Sequence, residues 1–387
     1  MWTRTIVLAA GLGLLLVLTL SSARSAEKGM AKDKDKAATR RKAGVTILKR
    51  DKCDDGYRLY SSRQTEAAHL IDIDGREVHR WEHRQGKTWH YAEMQPNGHL
   101  IAIVKDVMIL ELAWAGKLVW KAELRAHHDF ARLPGGNTLV VSRRNLTNPW
   151  THKGKLACDI LVELTPNSEV VWQWKVEQHA KEIAAHVKLM IPPFAKFWDW
   201  PHVNTIEVLP DSPAARKDPR FKAGNLLLCG RHIDTIWVID RKTEKVVWAW
   251  GPGELLGPHM PTMLPNGHIL VYDNGQNAST RVRGYTRVLE IEPITKRIVW
   301  QYKADPPKSF YSPSRGSSER LPNGNTFIAE SDSGRMFEVT PNGETVWEFL
   351  NPELRRNGRR MAMYRVCRYP RDLVDRLLAA GKRKKGP

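Results

Sequence analysis

The sequence predicts an all-β protein: a six-bladed β-propeller of four-stranded antiparallel blades, with a short C-terminal helix. The first observation behind this is a repeat. An apolar strand, a polar turn and a β-branched pair ending in tryptophan recur six times. The copies run LIDIDGREVHRW to Trp81, ILELAWAGKLVW to Trp120, ILVELTPNSEVVW to Trp172, WVIDRKTEKVVW to Trp248, VLEIEPITKRIVW to Trp300 and FEVTPNGETVW to Trp347. The second observation is a further set of hairpin sequences between them, LPGGNTLVV, GNLLLCG, LPNGHILVY and LPNGNTFIA. Apolar–polar alternation around a DG, NG or AG turn marks a β-hairpin, and two hairpins per repeat make a four-stranded blade. The third is negative. No long stretch of the repeat has a 3.6-residue period, which excludes a helical solenoid.

Four histidines run in step with these hairpins. They are His90 in HYAEMQPNGH, His128 in HDFARLPGGN, His202 in HVNTIEVLP and His259 in HMPTMLPNGH, each six to eight residues before a proline that begins a turn. Radial repetition places equivalent positions at equivalent radii, so the four are expected to converge on the axis. Imidazole titrates near neutrality and serves as nucleophile, acid, base or ligand, so convergence points to chemistry. The tryptophans that end the repeats are expected to lock neighbouring blades together.

Successive repeat tryptophans lie 39 to 76 residues apart, and the excess sits in two inserts. Residues 177–200 (EQHAKEIAAHVKLMIPPFAKFWDW) read as helical at first and then aromatic. Residues 211–224 (DSPAARKDPRFKAG) form the other. Long loops on a rim commonly build or cover a site, with a packing excursion as the alternative. Trp198, Trp200, Phe194, Phe310 and Tyr311 are expected to line an aromatic pocket.

The domain reading is residues 1–26 as a signal peptide or membrane anchor, 27–50 as a basic disordered linker, 51–370 as the propeller and 371–387 as a helical basic tail. Arg4 precedes a fifteen-residue apolar run, 6–20, followed by SSARSA. Such a run is short for a span, so export to the periplasm or beyond is expected, with cleavage near Ala23 or Ala26 or retention as an anchor. The 387-residue chain carries a net charge of +19, but the charge is concentrated at its ends. Residues 24–52 hold 11 basic against 4 acidic residues, and 351–387 hold 12 against 3. The propeller is therefore close to neutral, which argues against nucleic acid as a partner. The basic ends suit an anionic membrane surface. Four cysteines, Cys53, Cys158, Cys229 and Cys367, allow three pairings. Cys53 and Cys367 flank the propeller, which makes a closure disulfide attractive, and none has a CxxC metal or redox spacing.

Other polar groups accompany the histidines. Asn204 lies two residues after His202 and should face the same side of a strand. Arg231 follows LLLCG, and Asn274 follows HILVY. Several imidazoles, an arginine and few carboxylates favour an oxyanion, whose oxygens match the planar guanidinium fork. GKT at Gly86 to Thr88 lacks the upstream glycine of a P-loop, so a nucleotide donor is not expected. His90 has no polar company, His127 should point away from His128, and His152, His186 and His232 lie outside the pattern. Any one of these histidines alone is equally consistent with hydrogen bonding inside its blade.

HHDFARLPGGN, DWPHVNTIEVLP, CGRHIDTIWVIDRKTEKVVWAWG, GPHMPTMLPNGHILVYDNG and FYSPSRGSSERLPNGNTFIAESDSGRMFEVTPNGETVWEF resemble the arylsulfate sulfotransferase family. The resemblance covers about residues 55–370, including MYRVCRYP near the end. It implies a six-bladed propeller with an axial site that moves a sulfuryl group from an aryl sulfate donor to a phenolic acceptor, without nucleotide or cofactor. It further implies His259 as the nucleophile that carries the sulfuryl group, supported by His128, His202, Arg231 and Asn204. The N-terminal β-rich dimerisation domain and close cysteine pair of the best-known type are missing here, so no oligomeric state is implied. Three other readings compete. A non-catalytic exported propeller that binds an anionic ligand or a partner protein would bury its histidines within blades. A quinone-dependent dehydrogenase would need eight blades and a carboxylate-rich calcium site, and the sequence shows neither. A histidine-ring metal site is the third.

Overall fold

The structure, a computed structural model, describes residues 43–189, 199–277 and 281–383. Six antiparallel sheets follow one another around an axis. Blade 1 combines Met363–Tyr369 from the end of the chain with Tyr57–Ser62, Ala67–Ile71 and Glu77–Glu82. The late strand lies innermost, with Tyr57 opposite Tyr369, so strand pairing closes the ring. Blades 2 to 5 begin with the inner strands Trp89–Met94, Ala126–Arg132, Val203–Val208 and His259–Met263, and blade 6 begins with Ser317–Arg320.

Two expectations are corrected here. Gly44–Leu48, assigned to the linker from the sequence, forms a fifth strand on the outer edge of blade 6, with Gly44 opposite Leu350 and Leu48 opposite Trp347. Its β-branched residues suit a strand, and the open edge offers unpaired backbone groups. The closure disulfide is absent, and all four cysteines are free. Cys53 packs in the apolar cluster around Trp347, whereas the Cys367 sulfur lies 3.7 Å from the Tyr91 hydroxyl. Closure is the work of the sheet.

A repeated clasp joins neighbouring blades. A glutamate on the third strand (Glu111, Glu163, Glu290 or Glu338) pairs with an arginine of the next blade (Arg132, Arg241, Arg320 or Arg58). The same arginine lies over the repeat tryptophan, at 5.7 Å for Trp120, 3.9 Å for Trp172, 4.3 Å for Trp300 and 4.7 Å for Trp347. The indoles of Trp248, Trp300 and Trp347 donate to carbonyls of the following blade, at 2.8 to 3.0 Å. Tryptophan is used because it combines a broad apolar face with one donor. The C-terminal helix Arg371–Arg383 docks Leu373, Val374, Leu377 and Leu378 on the core shared by blades 1 and 2.

The inner strands are irregular where the sequence places its histidines. The ladder bulges at His90, across 127–129, at Asn204, between His259 and Thr262, and between Met363 and Val366. His128, His202 and Met260 have positive φ values of 61°, 64° and 45°. A bulge leaves a residue unpaired and re-aims its side chain, here toward the axis.

Beneath these bulges lies a buried hub. Arg365 Nη1 donates to Asp129 Oδ1 at 2.7 Å, and its Nη2 donates to Asn204 O at 2.5 Å and Thr205 Oγ1 at 3.1 Å. Asp129 Oδ2 accepts from Ile206 N at 2.8 Å. Removing one member of a buried pair strands the other charge. Arg365→Met is therefore expected to destabilise the fold by about 3–5 kcal/mol. Chemical denaturation should show this, with part of the loss restored by adding Asp129→Leu. An unshifted midpoint for the single variant would refute it.

Candidate active site

A cavity of about 230 Å³ opens on the axis at the bulged ends of the inner strands. His90, His128 and His202 lie on its wall, with ring centroids 4.4 Å apart for the first pair and 4.7 Å for the second. Arg231 lies on the same wall. Arg63, Lys105 and Arg315 add three further cations, and no carboxylate lies on the described wall. Trp89 and Tyr364 supply aromatic faces. Such a wall is built for an anion.

His259 is fully buried and sits behind this wall, its ring 6.5 Å from that of Tyr364. Its Nδ1–H donates to Asn274 Oδ1 at 2.7 Å. The Asn274 amide cannot be reversed, because Nδ2 donates to Ser312 O at 2.6 Å and Arg315 O at 3.0 Å. The proton of His259 is thereby held on Nδ1, which leaves a lone pair on Nε2. Nε2 has no hydrogen-bond partner among the described residues. Burial, then the Arg231 charge, hold this imidazole well below its ordinary pKa, so it stays neutral. The turn that carries Asn274 requires glycine next. Gly275 has φ +83°, and a Cβ there would come 2.0 Å from Tyr285 O.

His202 has a different partner. Its Nδ1 lies 2.6 Å from Asp199 Oδ2. Burial lowers the His202 pKa, and the Asp199 hydrogen bond and charge oppose that shift. Burial works against the Asp199 carboxylate, yet His202 and Arg143 hold it below the usual range. Asp199 arrives at the end of the 177–200 insert, where Asp199–Trp200 pairs in parallel with Ala157 and Cys158. His128 is backed by His127, Nδ1 to Nδ1 at 2.6 Å, and His127 Nε2 lies 3.1 Å from Asp159 Oδ1. His127 was expected to point away from His128. The bulge suspends the alternation of the strand, so the two rings meet.

Asn204 does not reach the wall. It is fully buried, with Nδ2 donating to Pro258 O at 2.8 Å and Oδ1 accepting from Thr205 Oγ1 at 2.9 Å. It ties blade 4 to the residue before His259. The aromatic pocket is also corrected. Trp200 packs on Trp150 at 4.8 Å, Phe310 joins Tyr272 and Phe337 in the core, and the Tyr311 hydroxyl donates to Gln276. Phe194 and Trp198 lie outside the described residues. The 211–224 insert is a packing excursion, with Phe221 set against Trp248 at 5.5 Å. In the other insert, Ala180–His186 is helical and buries Ile183.

Several site residues escaped the sequence reading. His232 stacks on His202 at 4.3 Å, and its Nδ1 lies 2.7 Å from Asp199 O. Arg63 and Lys105 follow the second strand of their blades, Tyr57–Ser62 and Leu100–Val104, the position that Arg231 and Asn274, named from the sequence, hold after Leu226–Gly230 and Ile269–Asp273. That shared position was a usable signal. Tyr364 and Arg315 carried none. A metal is the least suited occupant. Asp199, His202 and His232 place donor atoms within 4.8 Å of one another. However, Asp199 Oδ2 is already engaged by His202 and lies 3.7 Å from Arg143 Nη2, and this positive setting opposes a further cation.

The Arylsulfotransferase (ASST) family model matches residues 92–352. The chain belongs to the arylsulfotransferase family. That match takes in His128, His202, Asn204, Arg231 and His259, as well as Lys105 and Arg315. Arg63, His90 and Tyr364 fall outside it. No curated protein matches the chain. Among solved structures, a protein of unknown function from Bacteroides caccae is 15% identical with a TM-score of 0.52, covering 81% of this chain and 99% of that one. A streptogramin B lyase is 11% identical with a TM-score of 0.47, covering 81% and 84%. The first likeness is one of fold alone.

The buried imidazoles make stability depend on pH. His127 and His232 are held at about 3 against an ordinary 6.5, by burial first, then by Arg143 and His202 respectively. Their folded values lie below the unfolded one, so the unfolded chain takes up protons first on acidification. Their contribution is fully present above 6.5 and is lost progressively as the pH falls toward 3. Denaturation midpoints should decline from near pH 6.5 downward. A midpoint constant to about pH 5 would show that these rings are not buried as neutral groups.

Proposed function

We propose that this protein transfers a sulfuryl group from an aryl sulfate to a phenolic acceptor, without a nucleotide, through a sulfohistidine at His259. The observation that carries this reading is the tautomer of His259. Asn274 holds the proton on Nδ1 and leaves an unpartnered Nε2 lone pair behind a cationic cavity. Family membership supports the same chemistry.

In the first half-reaction Nε2 attacks sulfur, the sulfur–oxygen bond to the aryl group breaks, and the phenolate oxygen takes the bond pair. His202, whose pKa burial lowers in the empty site, takes up a proton when the anionic donor enters, with Asp199 stabilising the imidazolium, and gives that proton to the phenolate oxygen. Arg231 and the other wall cations hold the sulfuryl oxygens, stabilising charge where it develops. The sulfated ring keeps Nδ1–H, and Asn274 Oδ1 accepts from it. In the second half-reaction the acceptor phenol returns a proton to His202, and its oxygen attacks sulfur. The sulfur–nitrogen bond pair goes back to Nε2. Since His259 is behind the wall, donor binding must draw Tyr364 or Arg231 aside. The partner types support these roles: a carboxylate behind the acid–base histidine, an amide behind the nucleophile. We propose an exported setting for this activity, from the apolar run 6–20, with the basic ends against an anionic surface.

The complete burial of His259 favours a second reading, a non-catalytic propeller that binds an anion. Phenol release from a fluorogenic aryl sulfate, with and without acceptor, separates the two. His259→Ala should lower the rate at least about 10³-fold, as expected for a nucleophile. Asn274→Leu should lower it about 10²-fold or more by releasing the tautomer. Parallel double-reciprocal lines are expected for the two half-reactions. A folded wild type silent toward a panel of sulfates would sink the catalytic reading. Asp199→Asn should slow transfer roughly 10²–10⁴-fold from donors with basic phenols, and far less from acidic nitrophenols, which leave unaided. An equal loss for both would remove His202 as the acid.

A further inference from the structure

The cavity holds more positive charge than one sulfate ester can use. A sulfate monoester carries a single negative charge. Arg231 meets that need, since its Nη2 reaches only Pro313 O, at 3.3 Å, and its buried Nε has no partner among the described residues. It is the charge that acts most strongly on His259. Arg315 is already paired with Asp332. Arg63 and Lys105 are different. Both are exposed, both line the cavity, and among the described residues neither makes an ion pair. The carboxylate nearest in sequence to Lys105 is Asp106, whose charge acts on Lys105 without an ion pair and which lies 3.3 Å from Arg143 Nε. The Arg63 charge acts on Lys105, on Arg315 and on His90, so this side of the cavity repels itself when empty. Unpaired like charges gathered on one wall are stabilised by a bound anion. Trp89 and Tyr364 are buried aromatic faces on the same wall, suited to an aryl ring that carries both anions.

We propose that the donor is a dianion: an aryl ring that bears a second anionic group, a carboxylate or another sulfate, held between Arg63 and Lys105 while Arg231 takes the sulfate ester. The inference rests on the transfer reading for its inner anion, and the outer anion is tested without turnover. Calorimetric titration of the full chain with benzenesulfonate, 3-sulfobenzoate and 4-sulfobenzoate reads it directly, because none has an ester to cleave. At low salt one of the sulfobenzoates should bind roughly tenfold tighter than benzenesulfonate, the worth of two partly screened ion pairs. That ratio should shrink as salt is added. It should fall to near one in Arg63→Gln/Lys105→Gln, and below one in Arg63→Glu/Lys105→Glu. A wild-type ratio near one, a ratio that survives in both variants, or no binding by any of the three sulfonates would overturn the proposal. Phenyl sulfate turnover, run in parallel, reports on transfer separately. Turnover with a ratio of one defeats the dianion and keeps the transfer reading. A tenfold ratio with no turnover of any donor does the reverse.

Discussion

The buried guanidinium of Arg365 is the interaction on which the rest of this propeller depends. It sits on the closing strand of blade 1, pairs with Asp129 of blade 3, and binds Asn204 O and Thr205 Oγ1 of blade 4. Its Cζ lies 4.9 Å from the centroid of the Tyr91 ring of blade 2, and Thr205 Oγ1 accepts from Met260 N of blade 5. Burying two charges costs several kcal/mol per ion, and only a full set of partners offsets it. With Arg365 on blade 1 the hub spans blades 1 to 5, so it forms only when the ring is closed. Tyr364, the preceding residue, is placed on the cavity wall by the same closure.

The inner strands answer to two demands. They must pair with their neighbours, and they must send side chains down the axis, where a regular ladder would turn alternate residues away. Bulges at His90, across 127–129 and at Asn204 resolve the conflict. The left-handed backbone at His128 and His202 costs on the order of 1–3 kcal/mol each. The hydrogen bonds made behind the rings, to His127 and to Asp199, hold them in place. His128, His202 and His259 then have three kinds of partner, an imidazole, a carboxylate and an amide. Difference of this sort lets one residue type take several roles in one site.

Repeated residues in this chain serve both purposes, and the repeat does not label which is which. His99 and His268 also recur, in the two PNGH turns, yet each binds a clasp glutamate on the third strand of its blade, Glu111 and Glu290. Position within the blade separates the two sets. The inner histidines sit at or near the start of the inner strand, and the turn lies at that strand's other end.

What the sequence by itself determined is local. Alternation, turn residues and the tryptophan period specify six blades, because a hairpin is decided by residues a few positions apart. His128, His202 and Arg231 were legible for the same reason, since a repeat carries equivalent residues to equivalent radii. What only the tertiary structure decided is where distant residues meet. Arg63, Lys105, Arg315 and Tyr364 share one wall although 301 positions separate the first from the last. Strand parity misplaced Asn204 and His127, because a bulge breaks the period of two on which parity rests. Cys53 and Cys367 flank the propeller in sequence, yet one packs near the edge of blade 6 and the other beside Tyr91. Closure of the ring, which no local pattern encodes, sets all of these distances at once.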